Sequence, residues 1–305
     1  MERHYIQPFM KEHIQKMEEM KILADGEEIA ILDILDRNIN DIKSQYENAM
    51  HSMKTAEEIL PVALGLIQAS LAKEFYLNAG GKILEGVFKG MNYLPVSLGS
   101  VLIPKLLGTY ENKIAKYLSK KAESSDHFLE IGCAEGYYVA GLAYKCHNLY
   151  SSGVDIDPSS VHLASLLCSI NGLTQRTTIE SDLEKTVHKL SGNTLVLIDV
   201  DGGEINIIRK FLTFANQNKN INTIILVVET DLNLDGTSNA EEIKILLLSN
   251  IFEIKETLHH DIKDSFSSLT KSMSDINRFA CAHERGIPNQ SWIIAEYQSD
   301  YPRNT

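Results

Sequence analysis

The sequence predicts an α/β fold, a mostly parallel sheet covered by helices on both faces, with an all-helical segment ahead of it. Three observations predict this. From residue 128 onward, short apolar runs alternate with helical segments, as parallel sheets require. Those runs are apolar at nearly every position, which suits strands buried on both faces. Before residue 104, apolar residues fall at helical spacing.

In the N-terminal part, Phe9, Ile14, Met17, Met20 and Ile22 follow one helical pattern. After Asp25-Gly26, Ile29, Leu32, Leu35 and Ile39 follow another. Thr55-Ala-Glu-Glu58 resembles a capping box opening a helix from Ala56 to Tyr76. That helix is apolar almost all round and tolerates Pro61 in its first turns, so it must be buried in a bundle or at a subunit interface. A short helix is expected over 83–91, and another from Leu107 through Ile114 and Tyr117. The chain divides into a helical domain over 1–104, acting as a lid or a dimerisation arm, and a sheet domain over 105–305. A homodimer through the N-terminal helices is expected.

Seven strands follow, at 128–131, 149–155, 177–179, 194–200, 222–228, 252–258 and 292–297. Helices over 137–145, 159–171, 183–190, 204–215 and 239–249 separate the first six. The last two strands are separated by a polar, Ser-rich excursion over 259–286. The chain is identified on this pattern as Rossmann-like, with a seven-stranded sheet.

Charge narrows the function. Lys plus Arg number 29 against 41 Asp plus Glu, a net −12 at pH 7, which argues against nucleic-acid binding and favours a neutral or cationic small-molecule substrate. The four cysteines, Cys133, Cys146, Cys168 and Cys281, form no C-x-x-C pair and are expected reduced, as in a cytoplasmic protein. The N-terminus has no signal pattern. The apolar run Leu60–Ala72 is too short to span a bilayer before Lys73-Glu74 interrupts it, so no membrane contact is expected.

Chemistry gathers where strands end. Phe128-Leu-Glu-Ile-Gly-Cys-Ala-Glu-Gly136 breaks on glycine and restarts as a helix, so a ligand can approach backbone that carries no Cβ. Asp155, Asp182, Asp199, Asp201 and Glu229 all stand at or just past strand ends. Each has a plain reading as a helix cap or first-turn acid; their repetition along one rim favours ligand binding. Asp155 follows the glycine turn at the distance of a ribose-binding acid. Glu135, inside the turn, would repel a pyrophosphate. A nucleoside cofactor with an ammonium and a sulfonium suits these acids better, and Glu130 is a further partner for the ammonium.

Glu130-Ile-Gly-Cys-Ala-Glu-Gly136, Gly153-Val-Asp-Ile-Asp157 and Ser181-Asp182 are similar to the cofactor motifs of class I S-adenosylmethionine-dependent methyltransferases. Ile198-Asp-Val-Asp-Gly-Gly-Glu204 with Val228-Glu229 resembles the FkbM-like members. Leu106-Leu-Gly-Thr-Tyr-Glu111 and Pro288-Asn-Gln-Ser-Trp292 point to the same neighbourhood. The resemblance implies S-adenosylmethionine as cofactor, with Glu130, Gly132, Ala134 and Gly136 at its amino-acid end. It places Asp155 on the ribose, Asp182 on the adenine and Asp199 beside the reacting methyl. Asp201 departs from the pattern, which commonly has Glu there.

The expected reaction is N-methylation of an amine or guanidino group in an amino-acid-like substrate. Asp199, Asp201 and Glu229 are the catalytic candidates, able to orient a cationic nucleophile and accept its proton. Glu204, Arg278 and His283 are the substrate-binding candidates. No metal site is assigned. The alternatives are O-methylation in secondary metabolism, with or without a divalent metal, and a protein that binds the cofactor without turnover.

Overall fold

The computed structural model describes residues 28–52, 56–200, 202–232, 236–284 and 290–297. The expected helix around Phe9–Ile22, the Thr55 capping residue, Asp201 and Pro288-Asn289 lie outside the described residues.

The chain forms two compact units, one of residues 1–110 with 265–284 and the other of 111–264 with 285–305. The sequence boundary at 104/105 thus falls six residues early. Most of the excursion between the last two strands groups with the N-terminal helices, which local patterning does not show.

In the helical unit, α1 (Glu28–Ser52) and α2 (Ala56–Asn78) are followed by α3 (Leu102–Leu107). No helix forms over 83–91. Gly81, Gly86 and Gly90 take φ of 70°, 73° and 89° there, which a right-handed helix does not allow. Ile83 and Met91 instead pair across a tight loop, the Ile83 N–H donating to the Met91 carbonyl at 3.0 Å. A Cβ on Gly86 would lie 2.0 Å from the Gly108 carbonyl oxygen, so both glycines permit a close backbone crossing.

Helix α2 runs past Lys73-Glu74 to Asn78, since Lys73 pairs with Asp36 of α1 and Glu74 is exposed, so neither charge ends the helix. Ile59–Asn78 is therefore long and apolar enough, by length and composition, to cross a membrane, with mean hydropathy 1.2. One side of it is packed on protein: the buried Gln68 amide donates to the carbonyls of Ala280 and His283 at 3.0 and 2.7 Å, and the Tyr76 hydroxyl donates to the Tyr93 carbonyl.

The sheet unit starts with α4 (Asn112–Ala122). The helix expected from Leu107 is broken, because Gly108 at φ 72° ends α3 and Glu111 at φ 44° caps α4. Then follow β1 (His127–Ile131), α5 (Tyr137–Lys145), β2 (Tyr150–Val154), α6 (Pro158–Ile170), β3 (Thr177–Glu180), α7 (Leu183–Val187), β4 (Gly192–Ile198), α8 (Glu204–Gln217), β5 (Ile221–Thr230), α9 (Ala240–Ser249), β6 (Phe252–His259) and β7 (Ser291–Tyr297). Helix α10 (Asp275–Ala282), in the excursion, belongs to the helical unit.

The seven strands form one sheet in the order β3-β2-β1-β4-β5-β7-β6, with β7 antiparallel to both neighbours. This is the Rossmann-like, mostly parallel sheet that the sequence predicts. Leu129, Ile131, Val196, Ile198, Leu226 and Val228 bury one face of it against Ile208, Phe211 and Leu212 of α8. Each such side chain contributes roughly 1.5–3 kcal/mol by leaving water. Strand order reverses direction between β1 and β4, which pair from His127↔Thr194 to Ile131↔Ile198. In open α/β sheets the crevice beyond the carboxyl ends at such a reversal is where ligands bind.

Candidate ligand and active site

The loop after β1 and the first residue after β4 meet at that reversal. The Asp199 N–H donates to the Ile131 carbonyl at 2.9 Å. A Cβ on Gly132, at φ 88°, would lie 1.7 Å from the Asp199 carbonyl oxygen. Only glycine lets these two loops touch. Ala134 also takes a positive φ, 46°, and Gly136 at φ 85° caps α5.

The turn is tied to β2 by Asp155. One carboxylate oxygen accepts from the Ala134 N–H and the other from the Asp157 N–H, each at 2.9 Å. Burial raises the Asp155 pKa above its ordinary value, and these two hydrogen bonds oppose that rise. The Ser160 hydroxyl is a third donor to this carboxylate; of its roughly four lone-pair sites one is left over for a further donor, on a side chain that faces the glycine turn. Ile156 beside it is 92% exposed, an apolar side chain at the strand end that the sequence reading passed over.

Glu130 is buried, and its carboxylate accepts from the Val139 N–H at 3.1 Å, satisfying an N–H of the first turn of α5. Cys133 fills the space against Gly153, where an added Cβ would lie 2.8 Å from its sulfur. Burial raises the Cys133 thiol well above its ordinary value, so it is a packing residue and not a thiolate. Asp182 is exposed and caps α7, accepting from the Lys185 N–H at 3.0 Å.

The acids of β4 and β5 converge. Strand β5 runs two residues further than the pattern suggested, so Glu229 lies within it, opposite Trp292 of β7, and is 8% exposed. Glu111, Asp199 and Glu229 each bring a carboxylate oxygen within 4.8 Å of the others. The Tyr138 hydroxyl donates to Glu111 at 2.7 Å. Gln290, just before β7, donates to Glu229 and, at 3.5 Å, to Glu111. Burial pushes Glu229 well above the usual carboxylate range, and the charges of Asp199 and Glu111 push it further. Glu111, Tyr138 and Gln290 were missed as site residues. Glu111 and Gln290 both stand in segments that carry the family resemblance, but neither is at the end of a parallel strand.

Glu204 spends both oxygens inside the chain. It accepts from the Gly202 N–H and from the Asn239 amide, each at 2.9 Å. Burial is the first cause of its raised pKa. Arg278 and His283 belong to the helical unit, and the convergent acids to the sheet unit. Arg278 lies 3.8 Å from Asp275 and 5.5 Å from the Phe266 ring centre. His283 follows α10, its ring 5.3 Å from that of Phe279, and burial lowers its pKa.

No known family profile matches the chain, and no curated protein matches it. Among solved structures it is similar to the StiE O-MT domain at 14% identity, covering 65% of this chain and 76% of that one, with a TM-score of 0.42. It is similar to M. capricolum TrmK bound to S-adenosyl-homocysteine at 16% identity, covering 61% and 68%, with a TM-score of 0.42. A putative O-methyltransferase from Klebsiella pneumoniae shares 12% identity over 75% and 88%, with a TM-score of 0.41. At these values no substrate and no residue role passes from those proteins to this chain.

Proposed function

We propose that this chain is an S-adenosylmethionine-dependent methyltransferase that methylates an amine or guanidino nitrogen of a small, amino-acid-like substrate. The observation that carries the proposal is the convergence of Glu111, Asp199 and Glu229 beside a glycine turn that Asp155 secures. The residues fit the cofactor chemically. Backbone without a Cβ admits its amino-acid end, Asp155 retains acceptor capacity for a ribose hydroxyl, and exposed Ile156 offers a flat base an apolar neighbour. Asp182 accepts an adenine amino group in this reading.

When bound, the cofactor supplies an electrophilic methyl on sulfur. The protein's share is alignment, exclusion of water and handling of one proton. Asp199 and Glu229, with Asp201, orient the acceptor nitrogen in its neutral, nucleophilic form, stabilise the cation that forms on methylation and take up the proton that it then loses. Low exposure at Glu229 strengthens its electrostatic hold on such a group.

The test is transfer of labelled methyl from S-adenosylmethionine to a panel of primary amines, guanidines and phenols. Turnover is expected on a nitrogen acceptor, with Asp199→Asn and Glu229→Gln each lowering kcat by about 100-fold, the usual scale for acid–base groups. Turnover confined to phenols, or unchanged in both variants, overturns the nitrogen assignment.

A further inference from the structure

One acid of the trio comes from outside the parallel strand ends. Glu111 is delivered by the cap of α4, with the chain held at φ 44° so that a buried carboxylate points at Asp199 and Glu229. The groups around the trio come from six elements. They are Glu111 on α4, Tyr138 on α5, Asp199 after β4, Glu229 on β5, Gln290 before β7 and Glu204 on α8, whose carboxylate is within electrostatic reach of Asp199. Tyr138 and Gln290 are neutral donors to Glu111 and Glu229. Glu111 and Glu229 are buried and Asp199 half-buried, and two carboxylates this close to Glu229 disfavour its ionised form.

We infer that Glu111 is a further residue of the acceptor site, and that Glu229, with the Glu111 and Asp199 carboxylates beside it, holds a proton while the site is empty and releases it to solvent when a cation is seated there. The inference rests on the proposed function and adds a proton linkage to the same site. One carboxyl O–H bond breaks, the proton passes to buffer, and the incoming positive charge takes its place beside the carboxylates. No other reactant is needed.

S-adenosylmethionine and S-adenosylhomocysteine differ at the reacting end by a methyl and a positive charge, so their ratio of Kd values reads the charge state of the trio. Calorimetric titration of the full chain with both, from pH 6 to 8.5, should show the preference for the sulfonium growing about 3- to 10-fold with pH, with proton release on binding it. Glu111→Gln should flatten that growth by at least half. Tyr138→Phe, which removes a donor from Glu111 and leaves the trio intact, should move it to higher pH. A ratio that is constant with pH, or identical pH profiles in wild type and both variants, overturns the inference while leaving the cofactor assignment standing. Failure of both ligands to bind overturns the proposed function, and the inference falls with it.

Discussion

Glu229 shows how a single residue is set by its surroundings. Buried at the end of β5 with Asp199 and Glu111 beside it, its carboxyl is held above its ordinary pKa, first by burial and then by those charges. The sign of the consequence for stability is fixed. A carboxyl with a raised folded-state pKa favours the fold below its unfolded pKa, and that contribution is lost as pH rises through the folded value. The empty protein should therefore lose stability as pH climbs above the ordinary carboxylate range. Glu229→Gln fixes the neutral form and should remove this slope, so the variant gains on the wild type as pH rises. Thermal unfolding from pH 5 to 8 checks it, and parallel curves for the two proteins would contradict it. The same residue was legible in the sequence as an acid at a strand end. Its burial was not, because that depends on Gln290 and Glu111, 61 and 118 residues away by sequence number.

At the scale of elements, the strands were the most legible part, since a strand buried on both faces must be apolar at consecutive positions and few other structures demand that. The segments that went astray are governed by contacts between distant backbones. Residues 83–91 have a helical spacing of apolar side chains, yet Gly86 is held against Gly108 at a distance no Cβ permits. Local periodicity cannot register such a crossing. Glu204 is another case, read as a substrate contact from its place in a motif. In the structure it braces the loop after β4 to the loop after β5 through Asn239, whose own side-chain oxygen accepts from the Asp231 N–H at 2.9 Å. Glu204→Ala leaves the Gly202 N–H and the Asn239 amide without this acceptor. A loss of about 1–3 kcal/mol is expected, and because the two residues share one network, Glu204→Ala with Asn239→Ala should cost less than the sum of the single changes. Strict additivity in urea unfolding would mean that the brace does not exist.

Over the whole molecule, the order of strands decides what the residues can do. With β1 and β4 adjacent, the glycine turn and Asp199 touch. With β7 inserted antiparallel beside β5, Gln290 reaches Glu229. Alternation of strands and helices predicted a parallel sheet, but which strands lie side by side is a long-range matter, and with it the membership of the acid cluster. The net charge of −12 suits a site that attracts cations and agrees with a small-molecule acceptor. The most direct test is calorimetry of the intact protein with S-adenosylmethionine, alongside Asp155→Asn. Saturable one-to-one binding is expected in the wild type, weakened about 10- to 100-fold in the variant through loss of a charge-assisted acceptor. No heat of binding in the wild type, or equal affinity in both proteins, would contradict a rim of carboxylates built to hold an adenosyl sulfonium.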